Sequence, residues 1–72
     1  MPIDYLKMAR KCREEAAAKE ARINELRREY LRTGRADVRR RMALIEEIRD
    51  ELRIKSRFYE RRAEEYERKE KL

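Results

Sequence analysis

The stretch Thr33-Gly34-Arg35-Ala36-Asp37 decides the fold of this 72-residue chain. It contains the only glycine of the sequence and lies close to the midpoint. A glycine tolerates the left-handed backbone that ends a helix, and an aspartate is a favourable residue just before a helix begins. The stretch therefore predicts a first helix that ends at Gly34, a turn over residues 33–37 and a second helix capped by Asp37.

The first predicted helix covers residues 4–32, with Asp4 as its N-cap. Alternating steps of four and three residues place a mainly apolar stripe on one face of this helix. The stripe is small in its first half and bulky in its second, and consists of Tyr5, Ala9, Cys12, Ala16, Lys19, Ile23, Leu26 and Tyr30.

The second predicted helix covers residues 38–69 and carries a stripe with the same spacing. Its members are Val38, Met42, Ile45, Arg49, Leu52, Ser56, Tyr59, Ala63 and Tyr66. A tight hairpin pairs residues whose numbers add to roughly 70, because helix–helix connections are short. This pairing predicts that Ala9 and Cys12 face Phe58 and Tyr59, and that Lys19 lies near Asp50 and Glu51. The predicted hairpin core is Ala9, Cys12, Ala16, Ile23, Leu26, Tyr30, Met42, Ile45, Leu52, Tyr59 and Tyr66.

Two helices cannot enclose a core, so apolar residues outside the stripes are expected to stay exposed in a monomer. They are Leu44, Ile48, Ile54 and Phe58, and we assign them to self-association. The predicted fold is an all-α antiparallel two-helix hairpin, a single domain over residues 1–72, that dimerises into a four-helix bundle. A trimer of hairpins is an alternative. One unbroken helix in a long coiled coil would place Gly34 mid-helix, at a cost of about 1 kcal/mol.

The composition excludes several classes of function. Charged residues make up 53% of the chain, the formal net charge is +6, and histidine is absent. Without histidine there is no Ser-His or Cys-His pair and no Glu-x-x-His motif, so we predict neither an enzyme nor a metal or other cofactor site. Cys12 is expected to be a small core residue, and the glutamate clusters are expected to form solvated pairs with arginines.

Positive charge is concentrated around the predicted turn, where eight arginines oppose three acidic residues, Glu25, Glu29 and Asp37. The arginines are Arg22, Arg27, Arg28, Arg32, Arg35, Arg39, Arg40 and Arg41. The last three fall in the first turn of the predicted second helix, where the helix dipole disfavours cations. We take Arg35, Arg39, Arg40 and Arg41 as candidates for phosphate contact, with a solvated arginine-rich rim as the alternative.

In its style, the chain resembles engineered helical hairpins and bundles. The reduced alphabet, the Arg/Glu surface, the central loop and the regularity over nearly the whole length carry this resemblance; Ala, Glu, Lys, Leu and Arg make up roughly two-thirds of the residues. The arginines at the helix start, the free Cys12, and the apolar Leu31 and Ile54 depart from that style. They would suit a small protein of a phage or mobile element.

The leading functional hypothesis is a non-enzymatic hairpin whose activity is assembly with itself. One alternative is a small nucleic-acid-binding or regulatory protein that uses the arginine-rich turn, and another is a helical binder of a different protein. The sequence has no apolar run long enough to cross a membrane and only one cysteine. We therefore expect a soluble protein of a reducing cytoplasm, or a recombinant product only, if it is engineered.

Overall fold

The computed structural model describes residues 3–71, which form two helices packed along their length as an antiparallel hairpin. Helix α1 spans Tyr5–Thr33 and helix α2 spans Ala36–Lys71, and together they make a rod of 58 × 17 × 13 Å. The predicted all-α hairpin is confirmed. Of the predicted domain over residues 1–72, residues 1, 2 and 72 lie outside the described range.

The start of α1 is capped as the sequence predicted. The Asp4 carboxylate accepts a hydrogen bond of 3.0 Å from the backbone N–H of Lys7, which would otherwise lack a partner in the helix. The Asp4 carbonyl also accepts from the N–H of Met8 at 3.1 Å. These bonds fix the first residue of α1 at Tyr5.

The chain reverses at Gly34, which has φ 65° and ψ 16°, in the left-handed region. Its N–H donates to the Tyr30 carbonyl at 2.7 Å, which satisfies one of the carbonyls left unpaired at the end of α1. The Thr33 hydroxyl donates to the Glu29 carbonyl at 2.9 Å. Only Gly34 and Arg35 separate the two helices, so the turn is shorter than the predicted 33–37.

The predicted role of Asp37 as the cap of α2 is wrong, because α2 already begins at Ala36 and Asp37 lies in its first turn. There the Asp37 carboxylate accepts from the Arg35 guanidinium at 3.2 and 3.3 Å, and its charge is favourable near the positive end of the helix dipole. The earlier start also places Arg40 and Arg41 beyond the first turn, where the dipole opposes cations less.

The contact between the helices, which we call the seam, follows the two stripes. Its buried members are Ala9, Ala16, Ile23, Leu26, Val38, Ser56 and Ala63. The other predicted core residues are half-buried, namely Cys12, Tyr30, Met42, Ile45, Leu52 and Tyr59. Four of these seven side chains are small, two on each helix, which lets the two backbones approach closely.

Two predicted core contacts differ in the structure. Tyr66 is 43% exposed although it lines the same groove as Tyr5, and the Tyr5 ring stacks on Tyr59 with ring centroids 6.2 Å apart. Tyr66 lies level with the first turn of α1, beside Tyr5 and Leu6 at the open end of the hairpin, where α1 has no further turn to cover it. Phe58, expected to fill space beside Ala9, is half-exposed on the outer side of α2.

We expect Gly34→Ala to destabilise the hairpin by about 1 kcal/mol, because an L side chain disfavours the left-handed backbone at this position. A Cβ atom added there would meet nothing within 4 Å, so the loss would come from the backbone alone. Urea unfolding followed by circular dichroism at fixed chain concentration measures it. Gly34→Asn, which tolerates this conformation better, should lose less. Equal stability of Gly34→Ala and the parent would contradict the assignment of the turn.

Candidate functional site

Ion pairs close one flank of the seam. Arg13 Nη1 lies 2.6 Å from Glu60 Oε1, and Glu20 Oε2 accepts from Arg49 Nη1 at 2.5 Å, with Arg53 Nη2 at 3.7 Å. In the pairs Arg13–Glu60 and Glu20–Arg53 the residue numbers add to 73, which gives the register of the hairpin on this flank. Among residues 3–71 no cross-helix ion pair is found on the opposite flank.

Arg49 interrupts the apolar seam, and its side chain is only 17% exposed. The hydrogen bond from Arg49 holds the pKa of Glu20 below its usual value, against the opposing effect of burial. Hydrogen bonds to Glu20, and then to Asp50, raise the pKa of Arg49 above its usual value. The expected proximity of Lys19 to Asp50 gives no ion pair here; the Asp50 carboxylate accepts from Arg49 Nε at 3.0 Å instead.

The outer side of α2 carries the four residues assigned to self-association, which we call the apolar strip. Leu44, Ile48, Ile54 and Phe58 are 61%, 45%, 65% and 51% exposed. At about 100° per residue, the mean direction of the strip lies about 120° around α2 from the seam. The helix can therefore contact α1 on one side and a second surface on another.

Phe58 is partly covered by its own helix. The Arg62 guanidinium carbon lies 5.3 Å from the centre of the Phe58 ring, and the Tyr59 ring meets it edge-on at 5.6 Å. Both contacts leave about half of the phenyl group exposed. The outer side of α1 differs, because its large exposed apolar residues, Leu6, Met8 and Leu31, lie towards its two ends.

The arginines of residues 22–41 gather at the turn end of the rod, which we call the basic tip. Two of them have acidic partners: Arg22 lies 2.9 Å from Glu25, and Arg35 lies 3.2 Å from Asp37. Of the four candidates for phosphate contact, Arg35 is therefore partly neutralised. The other three are exposed and, within the described residues, make no ion pair: Arg39, Arg40 and Arg41.

Cys12 and Ser56, which carry the chain's only thiol and its only serine hydroxyl, both lie in the seam. Ser56 is 3% exposed, so its hydroxyl is closed to a substrate. Cys12 is half-buried in a shallow groove beside Met8, Leu52 and Tyr59. Lys11, Glu15 and Lys55 line the same groove.

Comparisons with known proteins add no further assignment: no family model, curated protein or solved structure matches this chain. Among residues 3–71, no group of three or more Cys, Asp or Glu residues is arranged to hold a metal ion. In the same range, neither helix combines the length and apolar character that crossing a membrane would need. The apolar strip and the basic tip are therefore the two surfaces from which a function can be argued.

The Glu20–Arg49 pair makes a pH-dependent contribution to stability. The pKa of Glu20 is lowered in the folded state, so the carboxylate stabilises the hairpin at neutral pH, and this contribution is lost as the pH falls through the lowered pKa. We expect Glu20→Gln to lower the melting temperature at pH 7 more than Glu14→Gln, a control at an exposed position that makes no ion pair within residues 3–71.

Thermal unfolding at neutral pH and well below the ordinary glutamate pKa of about 4.3 tests this expectation. The difference between the parent and Glu20→Gln should disappear in acid, because Glu20 is then protonated in both states. A difference that persists unchanged in acid would mean that the substitution acts through packing rather than charge.

Proposed function

We propose that this chain is a non-enzymatic assembly module, a helical hairpin that associates with a second copy of itself through the apolar strip to form a four-helix dimer. The supporting observation is the strip: four large apolar side chains, each close to half-exposed or more, on one side of one helix. Small single cores of this size seldom stabilise a fold without disulfides, metal or association. The resemblance to engineered helical bundles also implies an assembly role.

The location of the strip favours a helical partner of similar length. From Leu44 to Phe58 it runs about 21 Å along α2, at 1.5 Å per residue. Glutamate, lysine and arginine side chains flank it, as is typical of the polar rim around an apolar contact. A second hairpin offers an apolar surface of equal length.

We expect the parent chain to sediment as a dimer at micromolar concentration and Ile48→Glu to sediment as a helical monomer. A glutamate in the middle of the strip would bury an unpaired charge in the interface. Leu31→Glu is the matched control, because Leu31 is 78% exposed but lies on α1 outside the strip. It should leave the dimer intact.

A compact helical monomer for the parent would overturn the proposal. That result would favour the strip as a binding surface for a different protein. Circular dichroism checks that Ile48→Glu remains helical, so that unfolding of the variant is not mistaken for dissociation of the dimer.

A second candidate function, nucleic-acid binding, is favoured by the basic tip. Every cation between residues 22 and 41 is an arginine, and all six lysines of the chain lie outside this range. The guanidinium group presents a planar fork of donors that matches phosphate oxygens. Arg39, Arg40 and Arg41 are exposed and make no ion pair within residues 3–71, so their guanidinium donors are available.

This candidate predicts that the chain binds a generic DNA duplex or RNA at low salt and that binding weakens steeply as salt is added. Replacing Arg39, Arg40 and Arg41 together by Gln should abolish it. A charge-matched control replaces three exposed arginines outside the basic tip, Arg57, Arg61 and Arg68, by Gln. Fluorescence anisotropy measures both; equal losses in the two triple variants, or no binding by the parent at low salt, would remove this candidate.

A further inference from the structure

The four residues of the apolar strip are placed symmetrically about Glu51. Leu44 and Phe58 each lie seven residues from Glu51, and Ile48 and Ile54 each lie three residues from it. All four, and Glu51 itself, are exposed. Glu51 is therefore the midpoint of the strip along the axis of α2.

Glu51 is also the midpoint of the strip around the helix. At about 100° per residue, the four apolar side chains spread over about 120°, and their mean direction coincides with that of Glu51. A point that is central both along and around the helix is where a two-fold axis would pass if the strip met its own copy. In an interface with that symmetry, each contact between one residue and another occurs twice.

Resting on the proposed self-association, we propose that two copies pair α2 against α2, antiparallel, about a two-fold axis at Glu51. This arrangement sets Leu44 against the partner's Phe58 and Ile48 against the partner's Ile54. Each large apolar side chain of the strip then has an apolar neighbour. The α1 helices lie on the outside of the assembly, because the seam is about 120° from the strip.

The exposed charges within the strip favour the antiparallel arrangement over a parallel one. Glu47 and Lys55 each lie four residues from Glu51, so the same axis sets Glu47 opposite the partner's Lys55, twice in the dimer. A parallel pair in register would instead set each of these residues against its own copy, with like charges facing. It would also bring the two basic tips side by side, whereas the antiparallel pair holds them at opposite ends.

Between Leu44 and Phe58 the axis leaves one unfavourable contact, because Glu51 faces the partner's Glu51; beyond the strip it also sets Arg40 opposite the partner's Arg62, since each lies eleven residues from Glu51. Glu51→Gln should therefore tighten the dimer, whereas Glu47→Gln, four residues away, should weaken it by removing a favourable pair. We expect changes of about two- to five-fold in Kd, the range for exposed charge pairs. Both substitutions change the net charge equally, so net charge alone would shift the dimer Kd in the same direction for both. Changes of Kd in the same direction for Glu51→Gln and Glu47→Gln would therefore overturn the axis.

Disulfide trapping tests the axis directly, in a Cys12→Ala background that removes the native thiol. The variant Glu51→Cys should form a covalent dimer on mild oxidation, because the two copies of a residue on the two-fold axis lie at the same height along the paired helices. The control Glu47→Cys should not, because its two copies are displaced by about 12 Å along the helix axis. Disulfides need Cα atoms about 4.4–6.8 Å apart.

Sedimentation of the same variants under reducing conditions separates the two proposals. If the variants are dimers but the thiol at position 51 does not cross-link, or cross-links no faster than the thiol at position 47, the axis is wrong. Self-association would still be supported by that result. A monomer under reducing conditions overturns self-association together with the axis. A dimer with rapid cross-linking at position 51 alone supports both.

Discussion

The left-handed turn at Gly34 is the constraint on which the rest of this molecule depends. Because only two residues connect the helices, the reversal fixes their register, and the register decides which side chains meet along the seam. It brings Ala9 level with Ala63 and Ala16 level with Ser56, all of them buried. Small residues facing each other allow a close seam, so two helices suffice for a regular hairpin.

The two sides of α2 have different physical characters. Towards α1 it contributes a tight seam bordered by ion pairs, and away from α1 it exposes the apolar strip. Helix α1 has no such second surface along its middle, where Ala17, Ala18 and Ala21 are exposed instead. The difference explains why assembly is proposed through α2, and why α1 is expected on the outside.

The hairpin and its stripes could be predicted from the sequence, because steps of three and four residues determine the buried face whatever the partner is. The ends and the exact partners could not. Asp37 lies inside α2 because a carboxylate is also favourable within the first turn, and Tyr66 is exposed because it lies at the open end of the hairpin, level with the first turn of α1. The pairing rule allowed Glu20 with Arg49, whose numbers add to 69, as readily as Lys19 with Asp50; the pair was missed because Arg49 was counted only as a member of the stripe. Equal spacing of opposite charges on the two helices would have indicated the other flank pairs, Arg13–Glu60 and Glu20–Arg53.

That charge spacing has a consequence for how the two helices align. A seam built on a seven-residue repeat can in principle slide by one repeat and still match apolar positions. Here the charges along the ion-paired flank change sign at each repeat on both helices, in the order Arg13, Glu20, Arg27 on α1 and Glu46, Arg53, Glu60 on α2. Sliding by seven residues in either direction would set like charges together along this flank and place Arg49 beside another arginine. Slippage by one repeat is thus penalised electrostatically, in addition to the constraint that the two-residue connection imposes.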